Sequence, residues 1–168
     1  MKKVIILVLY LGVLVSFTQA QNEKFKALFM YNFTKYVEWP TSLKSGNFVI
    51  GVLGNSTISE ELKLIAGKQK VGGRTIVVKA CSSVSEVEGC HMLYIPTNKS
   101  NLLSEVNAKF GGKPLLIVTD KEGLATKGAC INFVLDGSKL RYEISRSSLD
   151  TKGLGAISSL FTLGIPVN

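Results

Sequence analysis

Residues 47–66 read NFVIGVLGNSTISEELKLIA, and this stretch decides the fold class. Its first part, Asn47–Leu53, is a short apolar run rich in β-branched residues, which predicts a buried strand. A Gly-Asn-Ser turn follows, and Thr57 and Glu60 then have the spacing of a capping box, which opens a helix that we expect to end near Ala66. A strand, a turn and a helix in this order form the repeating unit of an α/β sheet.

The same alternation continues towards the C-terminus. The sequence predicts strands over Arg74–Ala80, His91–Ile95 and Pro114–Thr119, with a helix between the last two over Asn98–Phe110. Apolar strands that follow one another through helices are typical of parallel sheets covered on both faces. We therefore expect a three-layer α/β fold, with helices flanking a mostly parallel sheet.

The C-terminal third predicts a different connection. Segments Ala129–Leu135 and Lys139–Ser145 flank an Asp-Gly-Ser turn, and the second segment alternates apolar and charged residues as a half-exposed strand does. We expect an antiparallel hairpin here, which makes the sheet mixed. A closing helix is predicted over Arg146–Leu163, weakened by Gly153 and Gly155.

A helix rich in aromatic residues is predicted before the first of these strands, over Glu23–Glu38, and Pro40 follows its end. Met30 and Tyr31 add apolar surface to its second face, so this helix is either deeply buried or presents aromatic area to a partner. The apolar residues that recur at three- and four-residue spacing are Phe25, Leu28, Phe29, Phe33, Tyr36 and Val37.

The N-terminal residues 1–20 differ from the rest of the chain. Two lysines precede an apolar stretch over Val4–Phe17, and a Thr-Gln-Ala sequence ends at Ala20. This layout predicts a secretory signal peptide cleaved after Ala20, because the apolar stretch is shorter than the roughly 20 residues of a membrane-spanning helix. An uncleaved membrane anchor is the alternative. We expect residues 21–168 to form a single exported domain.

The distribution of the basic residues along the chain argues against nucleic-acid binding. There are 20 Lys and Arg against 12 Asp and Glu, and removal of residues 1–20 lowers the net charge from +8 to +6 because two lysines are lost. The basic residues form no dense run, and an exported protein meets no nucleic acid. A solvated basic surface is favoured, and attraction to anionic lipid headgroups or to an acidic partner stays open.

A single histidine limits the enzyme chemistry of the chain. Acyl-transfer triads and multi-histidine metal sites would need His91, which begins an apolar strand where a hydrogen-bonded core histidine is expected. Because the cysteine spacing also matches no compact zinc pattern, we predict no catalytic, cofactor-binding or metal site. Two other hypotheses stay open. One is a small-molecule receptor with a cleft at the strand ends near Gly54, Pro96 and Asp120, and the other is a hydrolase using Asp120 or Asp136 with His91.

The three cysteines predict one disulfide. A short segment separates Cys81 from Cys90, and in an oxidising compartment these two are expected to form a bridge that closes a small loop. Cys130 is left over, and it is either a small buried residue in a strand or a free, redox-responsive thiol. Pairing of Cys130 with one of the other two would contradict this assignment.

Several blocks of the sequence, taken together, are similar to the YfiR-like family. They are 26–40 (KALFMYNFTKYVEWP), 49–54 (VIGVLG), 71–78 (VGGRTIVV), 90–95 (CHMLYI), 128–133 (GACINF) and 141–144 (RYEI). The Tyr-Asn-Phe-x-Lys-Tyr-Val-Glu-Trp-Pro sequence in the first block is specific, and the order and spacing of the blocks support the resemblance over nearly all of residues 21–168.

The resemblance implies a small periplasmic α/β protein, often dimeric, that represses a membrane-bound signalling enzyme by contacting its periplasmic sensor region. That enzyme would be a diguanylate cyclase or a sensor histidine kinase, and envelope or redox stress would relieve the repression. Family members often carry redox-active cysteine pairs, whereas three cysteines cannot form two pairs. The chain would then be a non-enzymatic regulator held at the membrane through its partner; a periplasmic small-molecule-binding protein is the alternative.

The residue chemistry and the resemblance both favour a contact surface at the first helix and the Trp-Pro sequence that follows it. Tyrosine and tryptophan supply contact energy at interfaces at low cost in side-chain entropy. We therefore predict that Tyr31, Tyr36, Trp39 and Pro40 contact the partner or a second copy of the chain. The alternative is that Tyr36 and Trp39 fill the core where the helix meets the sheet.

Overall fold

The computed structural model describes residues 21–168, so the predicted signal peptide at 1–20 lies outside the described residues. The helices are α1 (21–36), α2 (Ile58–Ala66), α3 (Leu103–Phe110), α4 (Arg146–Thr151) and α5 (Ser158–Leu163). The strands are β1 (Val37–Glu38), β2 (Phe48–Leu53), β3 (Lys70–Val71), β4 (Arg74–Cys81), β5 (Met92–Ile95), β6 (Leu116–Thr119), β7 (Ile131–Asp136), β8 (Lys139–Ser145), β9 (Gly155–Ala156) and β10 (Ile165–Val167). Short 3-10 helices cover Thr41–Leu43, Val84–Val87, Thr97–Leu102 and Ala125–Lys127. Across residues 21–168, no helix is long and apolar enough to span a bilayer.

Within the described range, eight strands form one sheet in the order β10-β8-β7-β6-β5-β2-β4-β3, and β1 pairs separately with β9. Neighbouring strands of the large sheet are parallel except in the pairs β7–β8 and β3–β4. The β7–β8 pair is the predicted hairpin, with Asp136 opposite Lys139 at its turn. The predicted α/β fold, with a mixed, mostly parallel sheet flanked by helices, is confirmed.

The centre of the sheet is buried on both faces, which explains its apolar strand sequences. Every residue of β5 and β6 is buried, and so are all residues of β2 except Val49. Each large apolar side chain removed from water in this way contributes about 1.5–3 kcal/mol to the stability of the fold. The core therefore runs along β2, β5 and β6.

Helix α1 packs on the sheet through a face that the sequence periodicity identified only in part. Ala27, Met30 and Phe33 are among its most deeply buried residues, whereas Phe25 is 43% and Leu28 is 48% exposed. The helix is apolar around most of its circumference, so its periodicity cannot decide which side faces the core. The helix also ends two residues earlier than predicted, because the next two residues form β1 and pair with β9.

The single closing helix predicted over Arg146–Leu163 is wrong. Gly153 has a left-handed backbone (φ +62°), which ends α4, and β9 then separates α4 from α5. A Cβ atom on Gly155 would come within 2.6 Å of the Glu38 side chain, so a glycine lets β9 approach β1 closely. The chain finally adds β10, an unpredicted strand that pairs in parallel with β8.

Candidate functional site

The predicted contact residues at the end of α1 differ in how much surface they offer. Trp39 is 8% exposed, and its ring meets the Phe48 ring edge-on at a centroid distance of 5.1 Å. Its indole N–H donates a hydrogen bond of 3.4 Å to the carbonyl oxygen of Thr34. Pro40, the next residue, is half-buried. In the isolated chain, Trp39 thus packs against the sheet and leaves little surface for a partner.

The two tyrosines lie on different sides of α1. Tyr31 is 8% exposed, and its hydroxyl donates a hydrogen bond of 2.9 Å to Gln69, which follows α2. The ammonium of Lys35 lies 4.1 Å from the centre of the Tyr31 ring, a cation–π distance. Tyr36 is half-buried and lines a separate small cavity with Leu163. The structure therefore does not gather the predicted contact residues into one surface.

His91 is held by backbone groups at the start of β5. The Val49 N–H donates to Nδ1 over 3.2 Å, so the proton of the neutral ring is on Nε2, which donates to the Leu43 carbonyl oxygen over 3.2 Å. Burial lowers the pKa of His91, and the nearby Arg74 guanidinium lowers it further, against the opposing effect of the Leu43 carbonyl. Both ring nitrogens of a neutral His91 are thus already used by the fold.

Asp120 forms a buried polar network at the carboxyl end of β6. It accepts hydrogen bonds from the Lys26 ammonium (2.9 Å), from the Tyr94 hydroxyl and from the Thr97 hydroxyl (2.8 Å). Lys26 also donates to Glu23 over 2.8 Å. Burial alone would lower the pKa of Lys26, but the two carboxylates raise it above its usual value. Burial and the Asp120 charge both raise the pKa of Tyr94, which stays protonated.

These partners separate the residues of the hydrolase hypothesis. The hydrogen bonds of His91 go to Val49 and Leu43, those of Asp120 go to α1 and β5, and Asp136 pairs with Arg141 over 3.2 Å. His91 precedes β5 whereas Asp120 follows β6, so the two lie at opposite edges of a parallel sheet. The structure does not bring the histidine and either aspartate into a catalytic arrangement.

The cleft predicted at the strand ends is partly filled. A Cβ atom on Gly54 would lie 2.8 Å from the Lys99 side chain, so lysine covers this part of the edge. A cavity of about 500 Å³ lies further along the edge, between Asp120, the start of α1 and the β7–β8 hairpin. Charged residues line much of it, including Lys26, Glu122 and Glu143, and it does not include Gly54 or Pro96.

Cys81 and Cys90 face the same glycine on the neighbouring strand β2. A Cβ atom on Gly51 would lie 2.9 Å from the sulfur of Cys90 and 3.4 Å from the sulfur of Cys81, so a side chain at position 51 would displace the Cys90 sulfur. Both residues are buried free thiols. Burial raises the pKa of Cys81 and raises that of Cys90 to about 12. The predicted disulfide between them stays a prediction.

Cys130 lies apart from this thiol pair, in the buried segment that leads into β7. It has no exposed surface, and its backbone N–H donates to the Ile117 carbonyl oxygen over 3.0 Å. Burial raises the pKa of its thiol to about 11. Cys130 is thus a small buried residue, but it lies just before β7 and not within the strand where the sequence placed it.

Two features of the site had only weak signals in the sequence. Lys26 stands among apolar residues of α1, but its partner Asp120 is 94 positions away. Leu64 lies on α2 and is 60% exposed. The sequence indicates this exposure only through the position of an apolar residue on the outer face of the predicted helix. In the part of the chain that the structure describes, no group of three or more His, Cys, Asp or Glu side chains is placed to hold a metal ion.

The fold is similar to the crystal structure of a conserved domain protein from Vibrio cholerae O1 biovar El Tor strain N16961, with a TM-score of 0.51 at 14% sequence identity. That match covers 71% of this chain and 54% of the Vibrio chain, so this chain spans about half of its neighbour. No curated protein matches the sequence.

The family comparison agrees with the resemblance seen in the sequence blocks. The family model described as YfiR/HmsC-like matches residues 23–164. This is a regulatory, periplasmic family that generally partners with membrane signalling proteins and is known for the regulation of diguanylate cyclases. The match covers nearly all of the described residues, so the chain belongs to the YfiR/HmsC-like family.

Proposed function

We propose that this chain is exported to the periplasm and acts there as a non-enzymatic repressor of a membrane signalling protein, whose periplasmic sensor region it binds. The observation that carries this proposal is the YfiR/HmsC-like match over residues 23–164. The partner is a diguanylate cyclase, with a sensor histidine kinase as the alternative. The chain associates with the membrane through this partner.

The contacts of the polar side chains support binding over catalysis. His91 uses both ring nitrogens within the fold, and Asp120 is shared between Lys26, Tyr94 and Thr97. These groups hold elements of the fold together and would have to leave their partners to act on a substrate. Exposed leucine and phenylalanine side chains on α1, by contrast, are suited to contact with another protein.

A deletion strain tests the proposed function. We expect loss of the gene to raise the cyclic di-GMP content of the cells, measured by mass spectrometry, and the full-length gene to restore the low level. A version lacking residues 2–20 should not restore it, because it would not be exported. Cyclic di-GMP and response-regulator phosphorylation that are both unchanged in the deletion strain would contradict the proposal.

Export itself is tested on the protein recovered from cells. We expect the periplasmic fraction to contain a chain whose N-terminal residue is Gln21, because the peptidase cuts after small residues such as Ala20. N-terminal sequencing and intact-mass measurement identify this species. Recovery of the chain only in the membrane fraction, with residues 1–20 retained, would favour the membrane-anchor alternative.

The regulation that we propose is redox-sensitive and uses Cys81 and Cys90. Both sulfurs face Gly51, at 2.9 Å and 3.4 Å from the position that a Cβ atom would take there, which supports a bridge after oxidation. Bridge formation removes two electrons and two protons from the two thiols, so it needs an oxidant, such as a disulfide that is itself reduced to two thiols. Both thiols hold their protons at neutral pH, which makes this exchange slow.

Mass spectrometry of the non-reduced protein tests the pairing. We expect a peptide that links Cys81 to Cys90 and a free Cys130. A Cys90→Ser variant should change the response of the signalling output to an added thiol oxidant, whereas the matched Cys130→Ala variant should respond as the wild type does. A bridge that contains Cys130, or an unchanged response of Cys90→Ser, would contradict this part of the proposal.

The four predicted contact residues would contribute to binding in different ways. We propose that Tyr36 and Pro40, which keep part of their surface, contribute directly to contact with the partner or with a second copy. Tyr31 and Trp39 would contribute mainly by fixing the shape of α1 and its exit, since each is 8% exposed. Sedimentation of the wild type and of Tyr36→Ala tests the homodimer: equal monomer–dimer equilibria would contradict a contact through Tyr36 in the dimer.

A further inference from the structure

An apolar groove lies between α1 and α2. It has a volume of about 450 Å³ and is called the α1–α2 groove below. Three of its apolar side chains are exposed: Phe25 by 43%, Leu28 by 48% and Leu64 by 60%. Tyr31 and Ile65 lie deeper and complete the apolar part of the lining.

Three exposed large apolar side chains in one concave surface distinguish this groove from the rest of the described surface. Other exposed large apolar residues, such as Leu135 and Leu163, lie on the hairpin and on α5. A single exposed leucine needs no explanation, but a contiguous apolar surface bounded by charged residues marks an interaction site. A concave groove between two helices also fits a rod-shaped protein segment better than it fits a flat membrane surface.

Charges around the groove select the occupant. Lys24 and Lys68 line it, and Lys35 lies over the Tyr31 ring, whereas Glu61 is the acidic residue of the lining. The surroundings are therefore basic and complement an acidic segment. A second copy of the same surface would place lysines against lysines, which disfavours a symmetric dimer through this groove.

We propose that the α1–α2 groove receives an amphipathic helix from the periplasmic region of the membrane signalling protein. The helix carries large apolar residues at three- and four-residue spacing, which pack against Phe25, Leu28 and Leu64, and acidic residues on either side, which face Lys24 and Lys68. This inference rests on the proposed function and names the surface through which repression is exerted.

A matched pair of charge substitutions tests the groove. Leu64→Asp places a carboxylate in the groove, and Leu135→Asp places one at an equally exposed position on β7, since the two leucines are 60% and 62% exposed. Each variant is returned to the deletion strain. We expect Leu64→Asp to weaken binding of the partner by about tenfold or more and to raise cyclic di-GMP, whereas Leu135→Asp represses as the wild type does. Lys68→Glu should act in the same direction as Leu64→Asp, and thermal unfolding checks that all three variants are folded.

Photo-crosslinking identifies the occupant. A photo-reactive phenylalanine analogue is placed at position 28 or, as the control, at position 135 in the full chain, and crosslinked peptides are sequenced after irradiation of cells. We expect position 28 to label an acidic amphipathic segment in the periplasmic region of a membrane signalling protein. Crosslinks only to a second copy, only to lipid, or to a segment of different chemistry would overturn the proposal.

The outcomes separate this inference from the proposed function. If deletion of the gene leaves the signalling output unchanged, the proposed function fails and the inference fails with it. If deletion changes the output but Leu64→Asp and Lys68→Glu repress as fully as Leu135→Asp does, the inference alone is overturned. Flotation of the purified chain with phosphatidylglycerol vesicles, lost in Leu64→Asp, would also overturn it, because the groove would then bind a membrane.

Discussion

Lys26 and Lys152 are both withdrawn from solvent, but their surroundings are opposite. The Lys26 side chain is 13% exposed, and its ammonium lies 2.8 Å from a Glu23 oxygen and 2.9 Å from an Asp120 oxygen. Lys152 is 2% exposed, and its ammonium donates a long hydrogen bond of 3.5 Å to the Phe110 carbonyl oxygen. One buried lysine thus has two carboxylate partners, and the other has a backbone oxygen.

The difference shows that partners, and not burial alone, decide whether the pKa of a buried lysine rises or falls. The pKa of Lys26 is raised although its burial alone would lower it. Burial lowers the pKa of Lys152, and the nearby Cys130 thiol opposes this only in part. Phe110 ends α3, where backbone carbonyls favour a positive charge, but this contribution does not replace a carboxylate.

The first of these lysines also connects the fold to the surface that we propose for binding. Lys26 joins α1 to Asp120, which is in turn bonded to Tyr94 in β5 and to Thr97. Helix α1 is thereby fixed at the carboxyl edge of the sheet while Phe25 and Leu28 stay exposed. A preformed groove binds its ligand at a lower entropic cost than one that must first order its walls.

Removal of the Lys26 ammonium should have the largest effect. Lys26→Met leaves Glu23 and Asp120 without their cation, and breaking a mostly buried ion pair costs about 3 kcal/mol of unfolding free energy. Urea unfolding of the wild type and the variant measures the difference. A loss below about 0.5 kcal/mol, which is the range of an exposed pair, would show that the network does not stabilise the fold.

A double-mutant cycle should give the next largest effect. Asp120→Asn keeps the shape of the side chain and removes its charge, so part of the cost of Lys26→Met should already be present in this variant. We expect a coupling free energy of about 1–2 kcal/mol between the two positions, measured by urea unfolding of the single and double variants. Additive losses would place the stabilisation elsewhere, for example in the contact of Lys26 with Glu23.

The sequence predicted the sheet well because its signals are local. The apolar runs of β2, β5 and β6 are buried on both faces, and an Asp-Gly-Ser turn identifies the β7–β8 hairpin. The predicted elements were wrong where segments distant in sequence pair with each other. Examples are the pair β1–β9 and the pair β8–β10.

The candidate site was harder to predict for the same reason. The periodicity of α1 named Phe25 and Leu28 among its apolar residues but could not show that both lie outside the core. Lys26 was included in the predicted solvated basic surface, because only the fold brings its partner Asp120 close to it. The proximity of Cys81 and Cys90 was predictable from their short separation, whereas their shared contact with Gly51 was not.

Replacement of the second lysine should have a smaller effect and the opposite sign. Lys152→Met removes a buried charge that lacks a carboxylate partner, and we expect the variant to be as stable as the wild type or about 1 kcal/mol more stable at pH 7. Urea unfolding provides the comparison. A loss of more than about 2 kcal/mol would show that the bond to Phe110 stabilises the charged form after all.

The pH dependence of this difference distinguishes the two lysines. Between the lowered pKa of Lys152 and its ordinary value of 10.5, the unfolded chain binds more protons than the folded chain does, so the stability of the wild type rises with pH. The advantage of Lys152→Met should therefore shrink as the pH approaches 10.5. The disadvantage of Lys26→Met should stay constant over the same range, because the pKa of Lys26 lies above 10.5 and its contribution is lost only at higher pH.

Lys24, an exposed neighbour of Lys26 on α1, should give the smallest change in stability. Its side chain lines the α1–α2 groove and is not part of the Asp120 network, so Lys24→Met should alter the unfolding free energy by less than about 0.5 kcal/mol. The effect should fall on binding, since the variant removes a positive charge facing the acidic helix of the partner. Urea unfolding and partner binding, measured on the same preparation, separate the two roles. A stability loss comparable to that of Lys26→Met would mean that the whole start of α1, and not the ion pair alone, holds the helix on the sheet.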